Sequence, residues 1–245
     1  MTTDSSSRAA RVVWHVAADE HDWIARSVEA IAGALRTALA EPREVRLLMS
    51  GGSTPIPVHR ALAREALDWS RIIVGLVDDR DVDPDADGSN ARLIRETLLL
   101  DRAADARFEV LRAEKQSAEA AAEAANARWR YHADSTLAAA VLGMGDDGHT
   151  ASLFPNAKNL DEALTTREPY AAIDATGCAG AGMFPRRVSL TPVGLAAAKE
   201  RILLIRGEDK RELFERALEA GDVRELPIRA AIDLPGAPLH VHWCS

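Results

Sequence analysis

The sequence is poor in cysteine and has no long hydrophobic run. Its two cysteines, Cys178 and Cys244, lie far apart in a chain of 245 residues, a spacing that indicates neither a zinc-binding pair nor a disulfide framework. No stretch approaches the roughly 20 apolar residues of a membrane-spanning helix, and the N-terminus lacks the apolar centre of a signal peptide. We therefore expect a soluble, cytoplasmic protein with reduced thiols.

A basic excess and aromatic side chains are also lacking. The chain has 30 lysines and arginines against 38 aspartates and glutamates, a net charge of −8, a pI near 5.4 and only 4% aromatic residues. This balance argues against nucleic acid or an anionic membrane as a partner, because both need a basic surface. A local cluster of arginine and lysine can still bind a small anionic substrate.

The apolar pattern alternates between strands and helices along the chain. Strands are predicted at 12–16, 45–49, 71–77, 108–111, 137–142, 171–173, 187–191 and 202–205, and helices over 21–40, 58–67, 90–100, 116–133, 192–199 and 207–218. This order is typical of an α/β fold with a doubly wound, mostly parallel sheet and helices on both faces. We predict one domain over 1–245, with about 1–10 loose, an irregular excursion over 156–185 and an edge strand at 239–243.

The stretch 137–155 carries the strongest functional signal. An apolar strand runs into a glycine-rich turn that bears Asp146, Asp147 and His149, and the residues from Thr150 onward are predicted to begin a helix that ends at Pro155. Open α/β sheets place their sites beyond the carboxyl ends of strands, and a histidine with a carboxylate partner can act as a general base. A histidine that only satisfies backbone groups is the alternative, and the neighbouring glycines and acids favour the base.

A dinucleotide site is rejected for the same turn. Residues 143–148 match the pattern G-x-G-x-x-G, which belongs in the first strand–helix unit of a nucleotide-binding fold. This copy lies past the middle of the chain, and its two carboxylates would repel a pyrophosphate.

A second glycine-rich turn, SGGSTP at 50–55, is a candidate anion site. Gly51 and Gly52 lack a Cβ, Ser53 or Thr54 is placed to cap a helix, and Pro55 fits its first position. Backbone N–H groups of such a turn can hold a phosphate or another oxyanion. A well-capped turn without a ligand fits this stretch equally well.

Three cations are candidate substrate ligands. Arg80 is the only cation in the loop 78–90, which contains six aspartates, and Asp78 or Asp79 could hold it towards a phosphate or carboxylate. Arg187 begins a predicted strand, and Lys210 follows a glycine turn. Each of these could instead be a surface charge, and the acidic loop could be merely solvated.

Two histidines alternate on the predicted tail strand. His240 and His242 would share one face, as two metal ligands do, but no third ligand is apparent. We therefore predict surface histidines and no metal site.

The motifs GGSTP, DDR…SN, GMGDDGHTASLFP, RVSLT and G-x-x-K occur in an order that resembles the 6-phosphogluconolactonases, within the glucosamine-6-phosphate deaminase-like fold group. The resemblance covers about residues 45–214. It implies a hydrolase without metal or cofactor that acts on 6-phospho-D-glucono-1,5-lactone in the oxidative pentose phosphate pathway. It further implies His149 as the base with Asp147 assisting, and it places the family's substrate- or phosphate-contacting cations at Arg80, Arg187 and Lys210.

The sequence departs from the family pattern in three places, and two other functions are the alternatives. Asp79 stands where the family usually has glutamate, Asp83 where proline is common, and the tail after 226 matches poorly. Glucosamine-6-phosphate deaminases resemble D-G-H-I-A-F-N-E-P and need a glutamate where this chain has Phe154, which favours the lactonase. A sugar-phosphate sensor would carry a DNA-binding segment, for which we expect no room before the first strand. The expected form is a monomer, with a dimer as the open alternative.

Overall fold

The computed structural model describes residues 8–245, so most of the stretch expected to be loose lies outside the described residues. The strands are β1 Val12–Val16, β2 Val45–Met49, β3 Ile72–Leu76, β4 Asp78–Arg80, β5 Arg107–Phe108, β6 Thr136–Leu142, β7 Tyr170–Asp174, β8 Arg186–Leu190, β9 Glu200–Arg206 and β10 Leu239–Cys244. The helices are α1 Glu20–Leu39, α2 Ile56–Leu62, α3 Asn90–Thr97, α4 Ala118–Tyr131, α5 Leu160–Thr165, α6 Pro192–Ala196, α7 Glu208–Leu218 and α8 Arg229–Ile232.

A parallel sheet of seven strands forms the centre of the fold and confirms the predicted class. Its order is β1-β10-β9-β6-β2-β3-β5, and every neighbouring pair is parallel. Helix α7 packs Phe214 against Trp14 of β1, whereas α1 lies over Ala138 and Ile202 on the opposite face. Strands β2 and β3 are buried at every residue, as strands covered on both faces should be.

A small antiparallel sheet joins the larger one at the carboxyl end of β3. Its order is β4-β8-β7, and Arg80 of β4 lies opposite Arg187 of β8. Strand β4 was not predicted, because Asp-Asp-Arg has the composition of a loop. Helix α5 was also missed within the excursion 156–185, which therefore contains regular structure.

The starts of α1 and α3 follow the local sequence. Asp19 caps α1 by accepting a hydrogen bond from the Asp22 N–H at 2.9 Å, and Ser89 caps α3 by accepting from the N–H groups of Ala91 and Arg92. The prediction for α2 is wrong, because neither Ser53 nor Thr54 caps it. Pro55 occupies the N-cap position without a side-chain hydrogen bond, and the helix begins at Ile56. None of the helices within 8–245 has the length and apolar character that crossing a bilayer requires.

The predicted edge strand at the tail is instead an internal strand. β10 pairs with both β1 and β9, so β1 takes the edge position. The prediction of surface histidines is wrong for His242, which is 1% exposed and whose ring nitrogens have no hydrogen-bond partner within residues 8–245. Its ring stacks on His15 at a centroid distance of 4.4 Å, and His15 Nε2 lies 2.9 Å from His240 Nδ1.

His242 makes the fold sensitive to acid. Burial and the nearby charges of His15, His240 and Arg26 lower the pKa of His242 to about 3. The pKa of His242 in the folded protein lies below the ordinary value of about 6.5. The stability that the neutral ring contributes is therefore present above pH 6.5 and is lost as the pH falls towards about 3. Between pH 6.5 and pH 5 the loss should be about 2 kcal/mol from this group.

His242→Phe keeps a ring against His15 and removes the titration. We expect its free energy of unfolding, measured in urea at several pH values, to fall less steeply between pH 6.5 and pH 5 than in the wild type. The slope is the readout, since the larger ring can change the absolute stability. An identical slope in both proteins would show that His242 does not cause acid sensitivity.

Candidate active site

A cavity of about 270 Å³ opens beyond the carboxyl ends of β2, β6 and β9. The structure brings most of the predicted site residues together here, and those lining it are Gly51, Gly52, Ser53, Arg80, His149, Arg187 and Lys210. Asp147 does not line the cavity and lies behind His149. The location agrees with the rule that open α/β sheets bind ligands at this edge.

The turn after β6 presents His149 without forming the predicted helix. Gly145 N–H donates to the His149 carbonyl at 2.9 Å, and Thr150 Oγ1 donates to the Gly143 carbonyl at 2.9 Å. Ala151 has φ of +48°, an uncommon conformation for a residue with a Cβ, and Thr150 forms an isolated bridge with Leu153. These contacts fix a tight turn where the residue types alone allow a helix.

The carboxylate of Asp147 orients His149. Its Oδ1 lies 2.5 Å from His149 Nδ1 and also accepts a hydrogen bond from the His149 backbone N–H at 3.1 Å. Burial acts to raise the pKa of Asp147, but the hydrogen bonds from His149 outweigh it and hold the pKa below its usual value. An ionised carboxylate at Nδ1 favours the tautomer with its proton there. This leaves Nε2, which has no hydrogen-bond partner within residues 8–245, able to accept a proton.

The ring of His149 is confined on other sides as well. The fully buried Phe154 ring packs on it with centroids 4.2 Å apart and an angle of 37°. A Cβ on Gly145 would overlap the His149 ring, so that position requires glycine. The imidazole therefore has little freedom to leave its hydrogen bond with Asp147.

The SGGSTP turn lines the same cavity as His149. Gly52 adopts φ of +87°, which glycine adopts readily and a residue with a Cβ rarely does. A Cβ on Gly51 would overlap the side chain of Asn90, the first residue of α3. Glycine is thus needed at position 52 for its backbone conformation and at position 51 to avoid a clash with Asn90.

Asp79 fixes the start of α3 and does not hold Arg80 as predicted. One carboxylate oxygen accepts from the backbone N–H groups of Arg80 and Asn90 at 2.8 and 2.7 Å, and the other accepts from Ala91 N–H and Ser89 Oγ. Burial raises the pKa of Asp79 to about 6 despite these bonds. The guanidinium of Arg80 donates instead to the Gly88 carbonyl, and its buried Nε has no hydrogen-bond partner in the described part of the chain.

Asp78 ties the acidic loop to the turn that bears His149. Its Oδ2 accepts a hydrogen bond from Ser152 Oγ at 2.6 Å, and its carbonyl accepts one from Asn90 Nδ2 at 2.9 Å. Ser152 N–H in turn donates to Ser189 Oγ of β8 at 3.0 Å. Asp78 and Asp79 are both buried, so the expected solvated acidic loop begins only after them.

The remaining predicted cations are partly engaged by carbonyl groups. Buried Arg187 donates from Nε to the Phe184 carbonyl at 2.5 Å and from Nη2 to the Ala181 carbonyl at 2.9 Å. Lys210 Nζ contacts the Met144 carbonyl and the carboxylate of the exposed Asp146, each at 2.6 Å.

Sequence reasoning missed two polar residues that line the cavity. They are Asn90, the first residue of α3, and Arg206, which pairs with Glu20 at 2.7 Å. Arg206 ends β9, so its place at the carboxyl end of a parallel strand was an available signal. Within residues 8–245 there is no group of three or more histidine, cysteine, aspartate or glutamate side chains placed to hold a metal ion.

Comparisons with known proteins give consistent matches. The family described as glucosamine-6-phosphate isomerases/6-phosphogluconolactonase matches residues 18–242, so the match extends through the tail that was expected to diverge. A 6-phosphogluconolactonase of Xylella fastidiosa (strain 9a5c) is 43% identical over 93% of this chain and 94% of its own length. A 6-phosphogluconolactonase of Pseudomonas aeruginosa is 41% identical over 94% of this chain and 93% of its own length. The crystal structure of a 6-phosphogluconolactonase from Shewanella baltica OS155 superposes with a TM-score of 0.89 at 33% identity, covering 96% of this chain and 98% of that one.

Removing the Ser152 hydroxyl should destabilise the fold through Asp78. A hydrogen bond to a charged group contributes about 1.5–3 kcal/mol, and we expect Ser152→Ala to lower the free energy of unfolding in urea by that amount. Ser70→Ala is the matched control, because Ser70 Oγ donates to Asp68 at the same 2.6 Å on the exposed surface. The control should lose at most about 0.5 kcal/mol. Equal losses in the two variants would contradict a special role for the buried bond.

Proposed function

The chain belongs to the glucosamine-6-phosphate isomerase/6-phosphogluconolactonase family, and we propose that it hydrolyses 6-phospho-D-glucono-1,5-lactone to 6-phospho-D-gluconate by general-base catalysis. This reaction belongs to the oxidative pentose phosphate pathway. The observation that carries the proposal is the Asp147–His149 pair, in which Nδ1 is engaged and Nε2 is left for a proton at the cavity.

In the proposed reaction His149 activates a water molecule. Nε2 of His149 takes a proton from the water while the water oxygen attacks the lactone carbonyl carbon. The carbonyl oxygen becomes an oxyanion. The intermediate collapses with cleavage of the bond to the ring oxygen, which receives the proton from the imidazolium. Asp147 stabilises the positive ring between the two proton transfers. The guanidinium groups of Arg80 and Arg187, which line the same cavity, are candidates to stabilise the oxyanion.

We assign the phosphate of the substrate to the SGGSTP turn together with Arg206 and Lys210, which line the same cavity. Gly51, Gly52 and Ser53 can offer backbone N–H groups, and the two cations offer positive charge. Two cations and a glycine-rich turn are chemically suited to a dianion, which supports a phosphorylated lactone over a neutral one.

The isomerase activity named in the same family description is the less favoured function. It requires a titratable carboxyl at the position of Phe154, and that side chain is a fully buried ring with no proton to exchange. A sugar-phosphate sensor is the alternative from another class. It would bind the phosphorylated ligand without accelerating its hydrolysis, so one assay separates it from the enzyme.

Replacing the base should abolish most of the catalysis. We expect His149→Ala to remain folded and to hydrolyse 6-phosphogluconolactone, generated in situ, about 10²–10⁴-fold more slowly than the wild type. His21→Ala, at an exposed histidine of α1, is the matched control and should keep full activity. Full activity in His149→Ala would remove His149 as the base, and no acceleration by the wild type would favour the sensor.

Replacing either proposed phosphate cation should affect only the phosphorylated substrate. Arg206→Gln and Lys210→Gln each remove a charge-assisted contact, which should raise KM for the phosphorylated lactone about 10-fold or more. Rates with the non-phosphorylated lactone should not change. Lys199→Gln, at the amino end of β9, is the control and should leave both substrates unaffected. Equal losses with both lactones would contradict the assignment of these cations to the phosphate.

A further inference from the structure

The excursion 156–185 contributes a turn that contacts the Asp147–His149 pair. A single 3-10 turn, Ala179–Ala181, brings the Cα of Gly180 against the Asp147 carboxylate. A Cβ built on Gly180 would overlap Asp147 Oδ2, and it would lie 3.0 Å from Asp147 Cγ and 3.1 Å from His149 Nδ1. The sequence assigns no role to this excursion. The contact between Gly180 and the Asp147 carboxylate indicates a role in the site.

We propose that Gly180 is a positioning residue that keeps the Asp147 carboxylate against His149 Nδ1. Only a residue without a Cβ allows the turn to approach the carboxylate so closely. The turn then fills the space into which Oδ2 would otherwise rotate, and Oδ1 stays at its 2.5 Å contact with Nδ1. This inference rests on the proposed function, in which His149 is the base.

The turn is anchored firmly enough to act as the fixed partner in this contact. The Ala181 carbonyl accepts a hydrogen bond from Arg187 Nη2 at 2.9 Å, and Cys178 N–H donates to the Ala175 carbonyl at 3.0 Å. The Ala181 side chain is 3% exposed and belongs to the small hydrophobic cluster that also contains Phe154. Buried Arg187 therefore supports the turn, in addition to its predicted contact with substrate.

The Asp147 carboxylate is the partner that we expect to move when the two are forced apart. It stands at the end of a short side chain that is 24% exposed, and the contacts that hold it come from His149 and the turn itself. An added methyl group at Gly180 should therefore displace the carboxylate and leave the turn in place. The Gly180 backbone lies outside the left-handed region, so alanine adds a contact there without backbone strain.

The expected result is a loss of catalysis without a loss of stability. Misplacement of a catalytic group by about 1 Å can cost roughly 100-fold in rate, so Gly180→Ala should lower kcat about 10- to 100-fold. KM should change less than about 2-fold, because the proposed phosphate contacts lie on other segments. The midpoint of thermal unfolding should match the wild type, since the displaced group can move towards solvent.

The experiment compares Gly180→Ala with Ala179→Ser, which adds one atom to an exposed neighbour in the same turn. Both variants are assayed for kcat and KM, and the proton on His149 Nδ1 is followed by its low-field NMR signal, identified by its absence in His149→Ala. We expect the signal to weaken or move upfield in Gly180→Ala and to persist in Ala179→Ser, which should also keep wild-type kcat.

Wild-type kcat together with an unchanged low-field signal in Gly180→Ala would overturn the proposal, because the turn would then have moved instead of the carboxylate. A reduced kcat with an unchanged signal would also overturn it, since the effect would not pass through the Asp147–His149 pair. Failure of the proposed function is a separate outcome, recognised by a wild type without lactonase activity or by full activity in His149→Ala. The NMR comparison tests the positioning of the pair in either case.

Discussion

Two adjacent buried carboxylates hold the parts of the site together. Asp78 and Asp79 follow β3 directly, where burying two negative charges side by side is costly unless hydrogen bonds offset it. Asp79 uses its oxygens on the start of α3, and Asp78 receives Ser152 from the turn that bears His149. The start of α3 and the turn that bears His149 therefore meet at one dipeptide. The raised pKa of Asp79, about 6, reflects the cost of this arrangement.

The sequence predicts the central sheet well because its strands are buried on both faces and their apolar character is continuous. Strand β3 is an example, with every residue buried. The errors fall where tertiary contacts decide the structure. Strand β4 consists of charged residues that become a strand only by pairing with β8. The turn after His149 is held by Ala151 at φ of +48° and by the bonds of Ser152, and neither follows from local propensity.

The site was predictable to the extent that its residues follow strands or sit in glycine-rich motifs. His149 and Asp147 are two residues apart, so their contact is local and could be anticipated. Gly51 and Lys210 could likewise be named as candidate binding residues from their motifs. Long-range contacts were not accessible in this way. Nothing in the sequence near Gly180 indicates the Asp147 carboxylate beside it, and the interpretation of Arg80 named the wrong partner because the Gly88 carbonyl competes with the aspartates.

The internal position of β10 has a consequence for how the chain folds during synthesis. Among the strands within residues 8–245, β10 is the only sheet neighbour of β1, and Val12 pairs with Leu239, so the first and last described strands depend on each other. Until β10 leaves the ribosome, β1 has no partner in this sheet and β9 lacks one neighbour. Such delayed closure of distant pairs slows folding and leaves apolar strand edges accessible to other chains. The chain is thus vulnerable to aggregation until β10 takes its place between β1 and β9.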